Sequence, residues 1–139
     1  MFDPATQIFL NSVVILKEQK MEAVNLTEKF NLINEYWSPR LLGELNNQAV
    51  KIAKLKGEFI WHHHENEDEM FFVIKGSMTI KLKDKDIILN KNEFFIIPKG
   101  VEHKPVAKDE VLVMMFEPMS TINTGNIESD ITIKDIEQL

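Results

Sequence analysis

From Arg40 onward the chain alternates apolar and polar residues in short runs separated by turn signals, the period of half-buried β-strands. Residues 41–45 face residues 48–55 across Asn46-Asn47, and asparagine tolerates the positive φ that a two-residue hairpin requires. Residues 59–64, 69–74, 77–83, 87–89, 94–97, 103–106 and 111–116 read as further strands. Eight or nine strands at intervals of roughly ten residues, with no long helix among them, predict an antiparallel sandwich or barrel. Ahead of them, Thr27 is expected to N-cap a short helix running through Leu32 and Ile33 and stopped by Ser38-Pro39. After Pro118 the chain turns polar, with a turn at Gly125-Asn126 and a last strand or helical piece expected at 131–136. One domain results: an N-terminal extension over 1–24, a barrel over 25–118 and a tail over 119–139.

The apolar run 8–16 changes this picture little. Asp3 stands where a signal peptide is basic, no small-residue cleavage site follows, and the run is too short to span a bilayer. The expected location is therefore cytoplasmic. Met21 is the expected natural start, with residues 1–20 an upstream extension or an additional strand, and that strand is expected to pair across a homodimer or pack on its own barrel. The 139 residues suffice for a core without staples, and the net charge of −6 with no basic stripe argues against nucleic acid and against an anionic membrane. With no cysteine, any bound metal must take nitrogen and oxygen ligands.

All four histidines lie in two stretches, Trp61-His62-His63-His64-Glu65 and Gly100-Val101-Glu102-His103. On a strand, residues two apart share a face, so His62 and His64 point together and His63 points away. A hairpin turn through 65–68 would bring Glu69 beside them, and barrel closure would supply His103 from a distant strand. Each half alone is also what a solvated hairpin tip or a surface turn looks like; the joint pattern is not. Three imidazoles and a carboxylate suit one divalent transition metal, whether Fe, Mn, Ni, Zn, Co or Cu, and on an octahedral ion leave about two positions open. Glu65, Glu67 and Asp68 are expected to face solvent.

These residues resemble the cupin superfamily. Gly57, His62, His64, Glu69 and Gly76 follow its first motif, G-x(4–5)-H-x-H-x(3–4)-E-x6-G, and Pro98, Gly100 and His103 follow its second, G-x5-P-x-G-x2-H-x3-N. Two positions depart: Asn92 replaces the opening glycine of the second motif, and Ala107 its closing asparagine. Asparagine is the next-best residue for positive φ, so the turn is expected to survive. The resemblance spans roughly 41–118 and implies an all-β, double-stranded β-helix (jelly-roll) barrel whose metal is held by His62, His64, Glu69 and His103. Phe116-Glu117-Pro118 followed by Asn123-Thr124-Gly125 also resembles a group of small bacterial cupins that carry a generic mannose-6-phosphate-isomerase-like label.

Function is expected from the site and not from the barrel. One reading is a metal-dependent enzyme acting on a small oxygenated compound, sugar-like or carboxylate, as an isomerase or lyase or, with iron, as a dioxygenase. No separate general base is evident, which leaves a water activated by the ion, or Glu69 itself, as the catalytic group. Phe71 and Val73 would wall the pocket. Phosphosugar chemistry is disfavoured because Arg40, expected to be a solvated strand-start residue, is the only arginine. The other reading is a non-catalytic, metal-dependent ligand-binding or sensor module.

Overall fold

The computed structural model describes residues 21–139; the strand expected at 8–16 lies outside them. Helix α1 (Leu26–Phe30) is capped by Asn25, whose Oδ1 accepts the Glu28 backbone N–H at 3.0 Å. The cap thus lies two residues before Thr27, and the helix ends well short of Ser38-Pro39. Asn25 is followed three residues on by Glu28, the spacing of a capping box, whereas Thr27 is followed at that distance by Phe30, which has no acceptor to return.

The rest is antiparallel sheet. Strands β1 (Arg40–Leu45) and β2 (Gln48–Glu58) form the expected hairpin, with Asn46 and Asn47 at φ of 50° and 65°. They are followed by β3 (Glu69–Lys75), β4 (Met78–Leu82), β5 (Asp86–Leu89), β6 (Phe94–Ile97) and β7 (His103–Pro118). The strand order is β1-β2-β7-β3-β6, and β4 pairs with both β5 and β7.

Three strand expectations need correction. Residues 103–106 and 111–116 form one strand, because Lys108, Asp109 and Glu110 keep the backbone extended while exposing their side chains at a bend. Before the bend β7 pairs with β4, from Leu82↔His103 to Thr79↔Val106; after it, with β3, from Lys75↔Leu112 to Met70↔Phe116. Gly76 sits against this bend at φ 87°, where an added Cβ would come within 2.9 Å of the Glu110 carbonyl oxygen, so only glycine fits. Residues 59–64, in turn, are not a ladder strand. They are an extended segment tied to β7 by the bridge His62↔His103 and by the Phe59 N–H on the Pro105 carbonyl at 2.9 Å. The tail forms no strand at 131–136. It reaches the edge of β1 through two bonds, Leu41 N–H to the Glu137 carbonyl at 2.9 Å and Leu139 N–H to the Leu41 carbonyl at 3.0 Å.

Both faces of the central strands are covered. Val111, Val113 and Met115 of β7 point inward with Ala53, Leu55, Phe71, Ile80 and Ile97. The alternate residues Leu112 and Met114 point outward, under Phe30 and Ile33 from the helical segment. Ile33 is fully buried there, worth about 2–3 kcal/mol. No helix among the described residues is long and apolar enough to cross a membrane.

Candidate metal centre

The segment carrying His62 and His64 is held by its backbone from two sides. His62 exchanges both backbone bonds with His103, at 3.0 and 2.9 Å, and the His64 carbonyl accepts from Gly100 N–H at 2.7 Å. The intervening His63 bonds the opposite way, to the tail: its N–H donates to Asn126 Oδ1 at 2.9 Å and its carbonyl accepts from Asn126 N–H at 2.9 Å. The tail packs so closely that a Cβ on Gly125 would lie 2.1 Å from the His63 carbonyl oxygen. Alternate peptides are thereby fixed to alternate partners, and the side chains of His62 and His64 turn inward together.

His62, His64, Glu69 and His103 are all buried, each offers one donor atom, and these atoms lie within 4.8 Å of one another. Nδ1 of His62 donates to the Ile60 carbonyl at 2.9 Å, and Nδ1 of His103 to the Val101 carbonyl at 2.8 Å. Each bond fixes a tautomer with Nε2 free to accept. Glu69 Oε2 lies 3.4 Å from His64 Nε2, and Glu69 Oε1 lies 3.4 Å from His103 Nε2. Bonds of about 2.0–2.2 Å to one ion would set neighbouring ligands roughly 3.0–3.5 Å apart. Nε2 of His64, Nε2 of His103 and Oε1 of Glu69 are buried without any hydrogen-bond partner. Buried polar atoms rarely stay unpaired, and a shared cation satisfies all three at once. The four residues fit a metal ion.

Glu69 reaches the cluster from β3, which pairs with β6 and β7 and not with the His62 segment, so it arrives from across the barrel and not from a hairpin partner. His63 is no member of the cluster; its ring pairs with Glu65 and, at 2.7 Å, with Glu102. Glu65 and Asp68 are exposed and Glu67 half-buried, all outside the cluster. Asn92 takes the positive φ of 69° that its motif position requires, and Ala107 is buried in the core.

Burial, then the neighbouring His103 charge, pushes the His62 imidazole down to about 4. Burial alone would raise Glu69, yet the imidazoles of His103 and His64, each 3.4 Å from one of its oxygens, outweigh it and hold its carboxyl well below the ordinary carboxylate range. Both directions favour the forms that ligate metal.

A cavity of about 180 Å³ opens beside His62 and Glu69. Trp37, Phe59 and Phe71 line it, with Ile122, Ile133 and Ile136 of the tail closing one side. Trp37 stacks on Phe59 with ring centroids 5.0 Å apart. Phe71 is a wall as expected; Val73 is instead fully buried in the core. Arg40 is not a solvated strand-start residue: it is buried, bonded to Ser38 and to Glu137 at 3.0 Å, and does not line the cavity.

Sequence reasoning missed the polar end of the cavity. Lys51, Glu117 and Thr121 all line it and are each less than a tenth exposed. Lys51 Nζ donates to Glu117 Oε1 at 2.7 Å and to the Thr121 carbonyl at 3.3 Å. The β3–β7 register explains why Glu117 stands beside Glu69: one step beyond Met70↔Phe116 the two carboxylates face each other. Burial, then the Glu69 charge, pushes the Glu117 carboxyl well up, with Lys51 pulling against both. A period-two signal for this corner exists, since Lys51 is in step with Ala53 and Leu55, and Glu117 with Val113 and Met115.

The cupin domain family model matches residues 50–117, which contain all four clustered residues. A cupin-2 domain protein of solved structure from Shewanella frigidimarina superposes with a TM-score of 0.68 at 46% identity, covering 69% of this chain and 94% of that one. This chain belongs to the cupin superfamily. The Bacillus subtilis protein YdbB, itself uncharacterised, is 37% identical over 81 residues, 58% of this cupin and 72% of YdbB. An acireductone dioxygenase from Sulfurihydrogenibium is 29% identical over 97 residues, 67% of this chain but only 51% of the dioxygenase.

Proposed function

We propose that this cupin is a metal-dependent enzyme acting on a small oxygenated compound. What carries the reading is the convergence of unpartnered donor atoms on His64, Glu69 and His103 at the wall of an apolar cavity. A purely structural site would be closed by its ligands, whereas His62 and Glu69 border open space. A divalent ion bound there would supply Lewis acidity toward a substrate oxygen or, if iron, redox chemistry with dioxygen. His62, His64, Glu69 and His103 would hold it. Trp37, Phe59 and Phe71 keep water from the bound compound, and Glu69, which borders the cavity, is placed to take a proton from it. Phosphosugars fit poorly, since Arg40 is committed elsewhere and Lys51 is engaged by Glu117.

The similarity to an acireductone dioxygenase favours dioxygen chemistry as a second reading within the same site. Elemental analysis of the purified protein, followed by oxygen uptake and product detection over a panel of small hydroxy compounds and sugar acids, tests both. About one transition metal per chain with turnover supports the enzyme; oxygen consumption selects the dioxygenase. Metal with no turnover on any compound points to a non-catalytic sensor, and no metal affinity at neutral pH defeats the proposal. On the same reading the protein works in the cytoplasm as a homodimer, which sedimentation would test.

A further inference from the structure

The cavity has two polar ends, and only one is accounted for by a metal. At the other, Glu117 Oε2 and Thr121 Oγ1 are buried with no hydrogen-bond partner, on side chains 3% and 6% exposed. Leaving such atoms unpaired costs on the order of 1–3 kcal/mol each, so a pair of them in one cavity wall asks for a ligand group. They sit beside Lys51, whose ammonium is balanced by Glu117 Oε1 at 2.7 Å. Lys51 is thus engaged within the protein, and what the corner offers a ligand is its two unpaired hydrogen-bonding atoms. We propose that Lys51, Glu117 and Thr121 form a hydroxyl-recognising subsite, which selects uncharged ligands with an apolar body and one hydroxyl at this end of the cavity.

The chemistry follows from the inventory. A hydroxyl both donates and accepts, so it can give its proton to Glu117 Oε2 and take one from Thr121 Oγ1. A carboxylate cannot donate to Glu117 Oε2, and it would bring a further negative charge beside Glu69, which lines the same cavity. A polyol would set its remaining hydroxyls against the apolar faces of Trp37, Phe59, Phe71 and Met115. Lys51 is the positioning residue: its bonds to Glu117 and to the Thr121 carbonyl hold the two recognising groups side by side, one on β7 and one on the tail. This narrows the substrate class of the proposed enzyme and rests on that reading only in taking the cavity to be a small-molecule site.

The test uses the full chain, both as purified and after chelation, with shape-matched probes: phenol against toluene, cyclohexanol against methylcyclohexane, and benzoate as the anionic arm. Affinities are read by NMR titration. The alcohol of at least one pair should bind about tenfold or more tightly than its hydrocarbon on the chelated chain, where coordination of the hydroxyl to metal cannot contribute. Thr121→Val, nearly isosteric, and Glu117→Gln should each cut that advantage severalfold while leaving hydrocarbon binding in place. Equal affinities within both pairs, benzoate binding more tightly than phenol, or an alcohol advantage that survives both substitutions would overturn the subsite. Thr121→Val leaves the Lys51–Glu117 pair intact, so the test holds even if Glu117→Gln fails to fold. The two readings fail separately: a chain that takes up no metal but prefers alcohols loses the enzyme and keeps the subsite, and one that binds metal without that preference does the reverse.

Discussion

Glu69 and Glu117 are both almost fully buried, stand on adjacent strands and face one another, yet their surroundings drive them in opposite directions. Glu69 is met by His64 and His103, whose ring nitrogens lie 3.4 Å from its two oxygens, and its carboxyl is held low. Glu117 is met by one lysine and by Glu69 itself, and its carboxyl is driven high. Burial pushes both upward; it prevails at Glu117, where the Glu69 charge adds to it, and is overcome only at Glu69, by the imidazole partners. The carboxylate ringed by imidazoles becomes a candidate ligand, and the one tied to Lys51 becomes a candidate recognition group. One β-barrel thereby builds two kinds of polar site on residues that face each other across adjacent strands.

The deepest cut is on the imidazole side. His103→Ala should weaken metal binding on the order of a thousandfold, because losing even a partner behind a ligand costs about 10–100-fold. Competition with a chromophoric chelator measures it, and circular dichroism should show the barrel retained. Unchanged affinity would remove His103 from the site; global unfolding would make the cluster structural. The matching cut on the other side is Lys51→Met. It strips Glu117 of its cation and should lower unfolding free energy by about 3 kcal/mol, read by chemical denaturation. Adding Glu117→Leu should recover at least half of the loss. Metal content should survive both changes, and a parallel loss of metal would mean that the two sites are one.

How much of this was legible in the residues follows the same divide. The metal cluster is written largely in a short-range code, His-x-His on one face with Glu69 soon after, while His103 joins it through the expected closure of the barrel and the second motif of the resemblance. The hairpin at Asn46-Asn47 is equally local. The Lys51–Glu117 corner joins residues 66 apart through a register that no local signal sets. The one local hint is that its lysine and glutamate each fall in step with inward-facing apolar neighbours. The 59–64 segment departs from a ladder strand for a related reason: its alternation is real, but its alternate peptides bond to β7 and to the tail, and period two does not reveal the partner.

The opposite shifts of His62 and Glu117 can be read as opposite slopes in the metal-free protein. His62 titrates near 6.5 when unfolded and about 4 when folded, so between these values the unfolded chain holds the extra proton. Its contribution, about 3 kcal/mol at most, is fully present above pH 6.5 and lost as pH falls toward 4. Glu117 is raised, so the folded chain holds the extra proton above about 4.5, and its contribution is lost as pH rises. Denaturation of chelated protein from pH 4.5 to 6.5 should therefore show wild type gaining on His62→Gln with rising pH and losing ground to Glu117→Gln. Slopes of the same sign would break the comparison.

The smallest effect tests what aligns the two sites. Asn126 lies outside both, yet its side-chain oxygen and backbone N–H hold the His63 peptide at 2.9 Å each, and the same tail carries Thr121. Asn126→Ala removes only the side-chain bond, which should cost about 1 kcal/mol of stability. The freed His63 peptide lies between His62 and His64, so the loosening should reach the metal cluster and lower its affinity by about tenfold. Thr121 and Lys51 are tied by a separate bond to β2, so the alcohol preference of the cavity should move far less. Should the preference fall while metal affinity holds, the tail serves the recognition end and not the histidines, and the coupling runs opposite to the backbone bonds described above.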